Sequence, residues 1–407
     1  MIVKKTKDSM GASGNKNIFI SSLLVLGNVL GVGVLALPIA AGLGGFIPAV
    51  IGIFCVWLIM LFSAWLIVYR YEGSQHHDMP SFYKRELGTF AKWLAIACNL
   101  IILYGVLVAY VSGISTMISS LFTILIPYKY VVMFIYFCIG VNLVAFGINI
   151  LKKSLLFVIS VIWISFFIMI TASFRHFHGS YLTYYSWGYF SVCLPLAVSA
   201  FHFHNIIPTV SKSLNFDKKA ACKAIFVGVT MGLIVNLIWI TVALATIPET
   251  GKGIDTIVFA NVHGLTANVP LSHILHNKIF TVFGLIFGIF AVTSSFMTNG
   301  AGLWGYIDDL LFTYFKMNNP ILVTAVSFLP VIIVAFVYPA IFLTALSIVG
   351  GIGEDILFGI LPSIIILKIS KSYPKYNKLL KVVGIYMLAV SSFILIYVVF
   401  KKIALFF

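Results

Sequence analysis

Two histidines two residues apart, His202 and His204, sit in the stretch "PLAVSAFHFHNIIPTV", which is otherwise apolar enough to cross a membrane. An imidazole gains and loses a proton near pH 6.5, and an ionisable group inside a span is a functional candidate by default. In a regular helix the two rings face different ways; an unwound segment turns both inward. The polar run from Ser199 through Asn205, with Pro208 after it, argues for such unwinding. The plainer alternative is a packed histidine bonded to a carbonyl. Thr293, Ser294 and Ser295 place three neighbouring hydroxyls mid-span. They are oxygen donors of the kind sodium takes, or donors to their own helix backbone. Glu354 and Asp355, in "GGIGEDILFG", lie deep in a later span, whereas Asp308 and Asp309 read as solvated.

The first apolar segment carries "GNVLGVGVLALP", Gly27 to Pro38. Inside a helix Gly costs about 1 kcal/mol relative to Ala and Pro about 3 kcal/mol, so the cluster invites a local break. A break frees backbone N–H and C=O groups that lipid cannot satisfy, which leaves a polar substrate or an ion as their partner. Close helix packing through Gly27-x-x-x-Gly31 is the competing reading.

The elements that carry these residues follow from composition. A chain 61% apolar and 9% charged cannot stay in water at this length, so it is read as an integral membrane protein. Hydropathy and polar breaks give eleven expected spans: 19–41, 47–69, 92–121, 131–149, 154–174, 190–211, 224–247, 279–307, 321–337, 340–367 and 382–400. Span 1 is too long for a signal-peptide h-region and is expected to remain in the mature protein. Five cysteines without a C-x-x-C pair suggest neither a disulfide framework nor a zinc site.

The net charge of +15 reports orientation rather than a nucleic-acid partner. Sorted by these spans, twenty of the 26 Lys and Arg residues fall on one side. The positive-inside rule then puts the N-terminus in the cytoplasm and the C-terminus outside. The longest loops, 70–91 inside and 248–278 outside, either hold short surface helices or are solvated connectors.

The breaks in spans 1 and 6 lie five spans apart, and an odd repeat inverts the second copy relative to the first. Paired broken helices of this kind mark a transporter's central site. The chain divides into a cytoplasmic segment 1–18, a first repeat 19–174, a second repeat 190–367 and an extra span 382–400.

With "GNVLGVGVLALP", "FHFHNIIPTV" and "FAVTSSFMTNGAGLWGYIDDLL" in this order and at these spans, the chain resembles the hydroxy and aromatic amino acid permeases of the amino acid-polyamine-organocation superfamily. The resemblance implies an all-α bundle of eleven transmembrane helices, a five-plus-five inverted repeat with broken helices 1 and 6. It implies import of tyrosine, tryptophan or phenylalanine with protons across a bacterial-type inner membrane. Two features depart from the family: His202 stands where a glycine is usual, and Glu354 and Asp355 where small or apolar residues are.

Carried onto this chain, the resemblance gives the unwound part of span 1, chiefly Val29, Gly31, Val32 and Gly33, to the substrate's carboxylate and ammonium. Carbonyls about Ala200 to His202 would take the ammonium protons. His204, beside them, is the first choice as proton carrier, because span 5 holds no lysine between 154 and 174. Ser294 and Ser295, with Thr293, would ligate sodium if sodium were the coupling ion. Tyr104, Tyr110, Phe201, Phe203 and Trp304 offer aromatic surface, either to the substrate's ring or to ordinary packing.

The function expected is therefore secondary active transport of an aromatic amino acid, tyrosine or tryptophan foremost. A sodium-coupled carrier of other neutral amino acids is the alternative, and an intramembrane enzyme a remote one. His263, His273 and His276 lack metal-ligand spacing, and no G-x-x-x-x-G-K-[ST] occurs. No cofactor, metal or nucleic acid is expected, only substrate, coupling ion and bilayer. Nothing in the sequence fixes the oligomeric state.

Overall fold

The computed structural model describes residues 17–29, 31, 33–70, 79–146, 148–251 and 253–403. Among them the fold is all-helical, with one isolated antiparallel bridge between Gly45 and Tyr185 and no strand. Among the described residues nine helices are long and apolar enough to cross a membrane, and a bent pair, α1 (Asn17–Val29) and α2 (Gly33–Gly44), passes the same test together. These ten correspond to ten of the eleven expected spans. The eleventh, 340–367, is not one α-helix. It runs as a short helix (Phe342–Ile348), two π-helical stretches (Val349–Glu354 and Ile356–Ile360) and a second helix (Leu361–Ser370). A glycine-dense segment such as "GGIGEDILFG" weakens the α-helical ladder, and π turns inside helices are frequent at functional sites.

The remaining long helices are α3 (Phe46–Arg70), α5 (Thr89–Leu121), α6 (Lys129–Phe146), α7 (Ile148–Ser173), α10 (Lys218–Thr246), α13 (Lys278–Leu310), α14 (Pro320–Val337) and α17 (Asn377–Ile403). Span 6 is α8 (Phe190–Ala200) and α9 (Ile207–Ser213), separated by non-helical backbone and a 3₁₀ turn. More than half of α3, α5, α10 and span 6 is buried, against under a third of α6, α7 and α17. The first group forms the centre of the bundle; the second is its rim.

α13 packs on α5 and α7, α2 on α8, and the π stretch of span 10 on both α5 and α8. α7 begins earlier than the expected span, so Lys152 and Lys153 fall in its first turns rather than in a loop. The 70–91 loop holds α4 (Met79–Leu87), whose Pro80, Phe82, Tyr83 and Glu86 are buried. The 248–278 loop holds α11 (Ile257–Val262) and α12 (Asn268–Leu275). These helices are docked against the bundle, not laid on its surface: Asn268 Nδ2 donates to the Gly284 carbonyl (3.0 Å), and Glu86 takes Arg70 (2.8 Å).

Pro38 shows how the break in span 1 is supported. It has no N–H to give to the Val34 carbonyl four residues back. The indole Nε1 of Trp239, on α10, donates to that carbonyl instead (2.9 Å), and the backbone N–H of Ala267 donates to Leu35 O (3.0 Å). The freed backbone groups are therefore met by fixed donors from neighbouring elements, which hold the start of α2 in place.

Candidate functional site

The breaks in spans 1 and 6 touch. A Cβ built on Gly33 would lie 2.6 Å from Ala200 Cα and 2.9 Å from its Cβ. Gly33 is thus required for close approach. α1 and α2 meet at 58°. The amino end of α2 and the carboxyl end of α8 come together here, bringing partial positive and partial negative charge to one place.

Beside this junction lies a cavity of about 180 Å³, more than tenfold the ~10–15 Å³ that one water needs. Its polar lining is Asn28 and Gly31 of span 1, His202 and Asn205 of span 6, Ser294, Ser295 and Asn299 of α13, and Glu354 of span 10. Its aliphatic lining comes from Val106 of α5, Val158, Ile159 and Ile162 of α7, and Leu346 of span 10. Tyr110 is the aromatic residue on its wall, and its hydroxyl accepts from Asn299 Nδ2 (3.3 Å).

His202 and Glu354 form the one charge contact in the cavity among the described residues. Nδ1 lies 2.7 Å from Oε1, with the imidazole 18% exposed and the carboxylate 1%. The approach is close but not aligned as a hydrogen bond. His204 is elsewhere: wholly buried, it is stacked between Phe203 (ring centroids 4.5 Å apart) and Phe358 (4.1 Å). His202 lines the cavity and His204 does not, although both rings pack on Phe358, His202 edge-on at 6.4 Å between centroids.

Of the other residues singled out by sequence, Gly31, Gly33, Ser294 and Ser295 lie on the cavity. Val29 packs against Gly232, and Ala200 sits behind Gly33. Phe201 and Phe203 are fully buried in the core. Thr293 turns to Tyr136 (3.4 Å), Tyr104 donates to the Val326 carbonyl (2.8 Å), and Trp304 donates to Thr324 (3.1 Å). Val32 lies outside the described residues. Ser294 lines the cavity and donates to the Ala291 carbonyl (3.1 Å).

Asn28, Thr298 and Asn299 were not singled out, although Asn28 stands inside the glycine run and the other two inside the span 8 motif. The usable signal was an amide or hydroxyl beside a glycine at mid-span, where an unpaired polar group is costly.

A multi-span helical bundle whose broken helices meet at a small, half-polar cavity has the build of a membrane carrier. The chain belongs to the tryptophan/tyrosine permease family, whose model matches residues 14–404. It is 26% identical to tyrosine-specific transport system 1 of Haemophilus influenzae over 81% of this chain and 83% of the relative. It is 25% identical to the tyrosine permease of Enterobacter agglomerans (92% and 91% covered). It is also 25% identical to a tryptophan-specific transport protein of Pseudomonas aeruginosa (81% of each chain). The chain is accordingly a multi-pass permease and not an enzyme.

Proposed function

We propose that this permease imports an aromatic amino acid, tyrosine or tryptophan foremost, across a bacterial-type inner membrane by proton symport with alternating access. The observation that carries the reading is the cavity at the meeting of the two breaks, lined by both polar and aliphatic residues. An amino acid calls for both kinds of lining: two charges at one end and an apolar body at the other.

In this reading the substrate carboxylate lies against the amino end of α2, about Gly31 and Gly33, where the helix dipole favours an anion. The ammonium lies against carbonyls at the carboxyl end of α8, from Ala200 to His202. The ring packs on Val106, Val158, Ile159 and Ile162, an aliphatic bed for the 150–250 Å² that an aromatic side chain buries. The bundle is a five-plus-five inverted repeat, spans 1–5 and 6–10, with an eleventh helix added. The N-terminus is cytoplasmic and the C-terminus outside, as the charge bias requires.

Purified protein in liposomes, loaded against a panel of all twenty amino acids, tests the substrate. Labelled tyrosine or tryptophan should enter and be displaced by the other aromatics; displacement by a small aliphatic amino acid alone would refute the aromatic assignment. Ser294 and Ser295 on the cavity wall support the sodium-coupled alternative. Replacing sodium by choline at fixed pH should leave uptake unchanged under proton coupling and abolish it under sodium coupling.

A further inference from the structure

We propose that His202 and Glu354 together are the proton-accepting element of the carrier, and that the substrate's carboxylate completes its charge. The proposal rests on the reading of the chain as a proton-driven carrier of amino acids.

The pair joins the break of span 6 to the π-helical stretch of span 10, with 2.7 Å between Nδ1 and Oε1. Both residues line the cavity, so proton and substrate reach them by the same route. No lysine or arginine lines that cavity among the described residues. The other titratable groups around the pair are few. α5 presents the Tyr110 phenol, and Cys98 meets Gly353 through its backbone carbonyl. The span 6 break presents His204, within electrostatic reach of His202. Asp355 follows Glu354 but turns to Ser391 on α17. α1, α2 and α13 present amides, hydroxyls and backbone there.

Charge counting gives the coupling. With one proton between them, as imidazolium and carboxylate or as the two neutral forms, the pair is neutral and needs no partner. A second proton, bound to the Glu354 carboxylate, leaves an acid beside an imidazolium and strands one positive charge away from water. An uncompensated buried charge is strongly disfavoured. A zwitterionic amino acid supplies the missing negative charge through its carboxylate, while the carbonyls at the end of α8 satisfy its ammonium. Proton and substrate then raise each other's affinity by the same factor. The proton alone strands a positive charge, and the substrate alone brings a carboxylate met only by the partial charge of the α2 amino end, so half-loaded carriers are disfavoured and the proton does not leak. Starting from imidazolium and carboxylate, the bond made on loading and broken on release is the O–H of Glu354.

The test is accumulation of labelled tyrosine in proteoliposomes under an imposed gradient of one pH unit with the membrane potential clamped, alongside counterflow at equal pH. One proton per substrate can raise the wild-type ratio to about tenfold. No gradient response in the wild type would sink the proton-driven reading itself. Given that response, Glu354→Gln is expected to bring the ratio down to one while counterflow persists and no longer varies with pH. His202→Gln should lose accumulation too, with a higher KM for counterflow because the carboxylate loses its partner. Asp355→Asn should accumulate as the wild type does. Accumulation retained by Glu354→Gln overturns the proposal. So does loss of both accumulation and counterflow in an inserted, monodisperse Glu354→Gln protein, which would make the carboxylate a ligand of the substrate's ammonium. Should Glu354→Gln fail to insert, His202→Gln decides: a pH-gradient response in that variant overturns the proposal equally.

Discussion

The two breaks reach the same cavity with opposite equipment. Span 1 contributes Gly31, Gly33 and the amide of Asn28, with no titratable group among its described residues there; span 6 contributes His202 and, behind it, His204. One break offers close backbone approach and the positive end of α2, the other offers side chains that gain and lose protons. The difference teaches that an unwound helix serves two separate ends. Fixed dipoles select a ligand's charged group without themselves changing state, whereas an imidazole changes state and can report on, or drive, what is bound.

Substitutions separate the two roles. The largest effect is expected at Gly33, where valine would place Cβ 2.6 Å from the Ala200 backbone and push the breaks apart. A displacement of about 1 Å in a positioned site costs about 100-fold in rate, so tyrosine uptake per inserted carrier should fall by about that factor. Uptake within twofold of normal would mean that the junction does not position substrate. At Gly31 the surroundings are looser, with Asn28 O at 3.6 Å and Ser295 Oγ at 3.9 Å from a built Cβ. Gly31→Ala should bind nearly as the native protein does, while Gly31→Leu fills the cavity and loses binding, as equilibrium dialysis with labelled tyrosine can show. Equal affinities for the two variants would remove span 1 from the site.

Asn299→Ala takes away the donor to Tyr110, a bond worth about 1 kcal/mol, or about fivefold in KM for uptake. An unchanged KM would count against a role for the α13 wall. The smallest effect belongs to His204→Phe, because a phenyl ring preserves the stack between Phe203 and Phe358. Gradient-driven accumulation should survive, with stability altered by no more than about 1.5 kcal/mol. Loss of accumulation there would move the titrating function from the cavity-facing histidine to the packed one.

The breaks themselves were legible, since Gly27 to Pro38 and Ser199 to Pro208 violate the composition of an unbroken span. Which histidine faces the cavity was not. Once the α-helical repeat is lost after Ala200, side-chain direction is set by neighbours such as Phe358, more than 150 positions away in the chain, and no local spacing encodes it. The same holds for the aromatic residues offered as a lining. Tyr104 and Trp304 turn to partners on α14, Tyr110 does line the cavity, and the rest of its apolar lining is aliphatic, from residues whose sequence context is indistinguishable from lipid-facing helix. Glu354 was visible as an oddity in its span. Its pairing with His202 depends on π-helical geometry that hydropathy does not carry.

Gly350 carries a consequence for heredity as well as for packing. A side chain there would fall on the Pro195 carbonyl and the Ser199 hydroxyl. Every missense change at the first or second base of a glycine codon introduces at least a methyl group. Cells selected on a toxic aromatic amino acid analogue should therefore collect resistance alleles at codons 350 and 33, where any such change jams span 6. Gly179, exposed and with nothing within 4 Å of a built Cβ, should yield few, so that the resistance spectrum would trace the tight junctions of the bundle in a population.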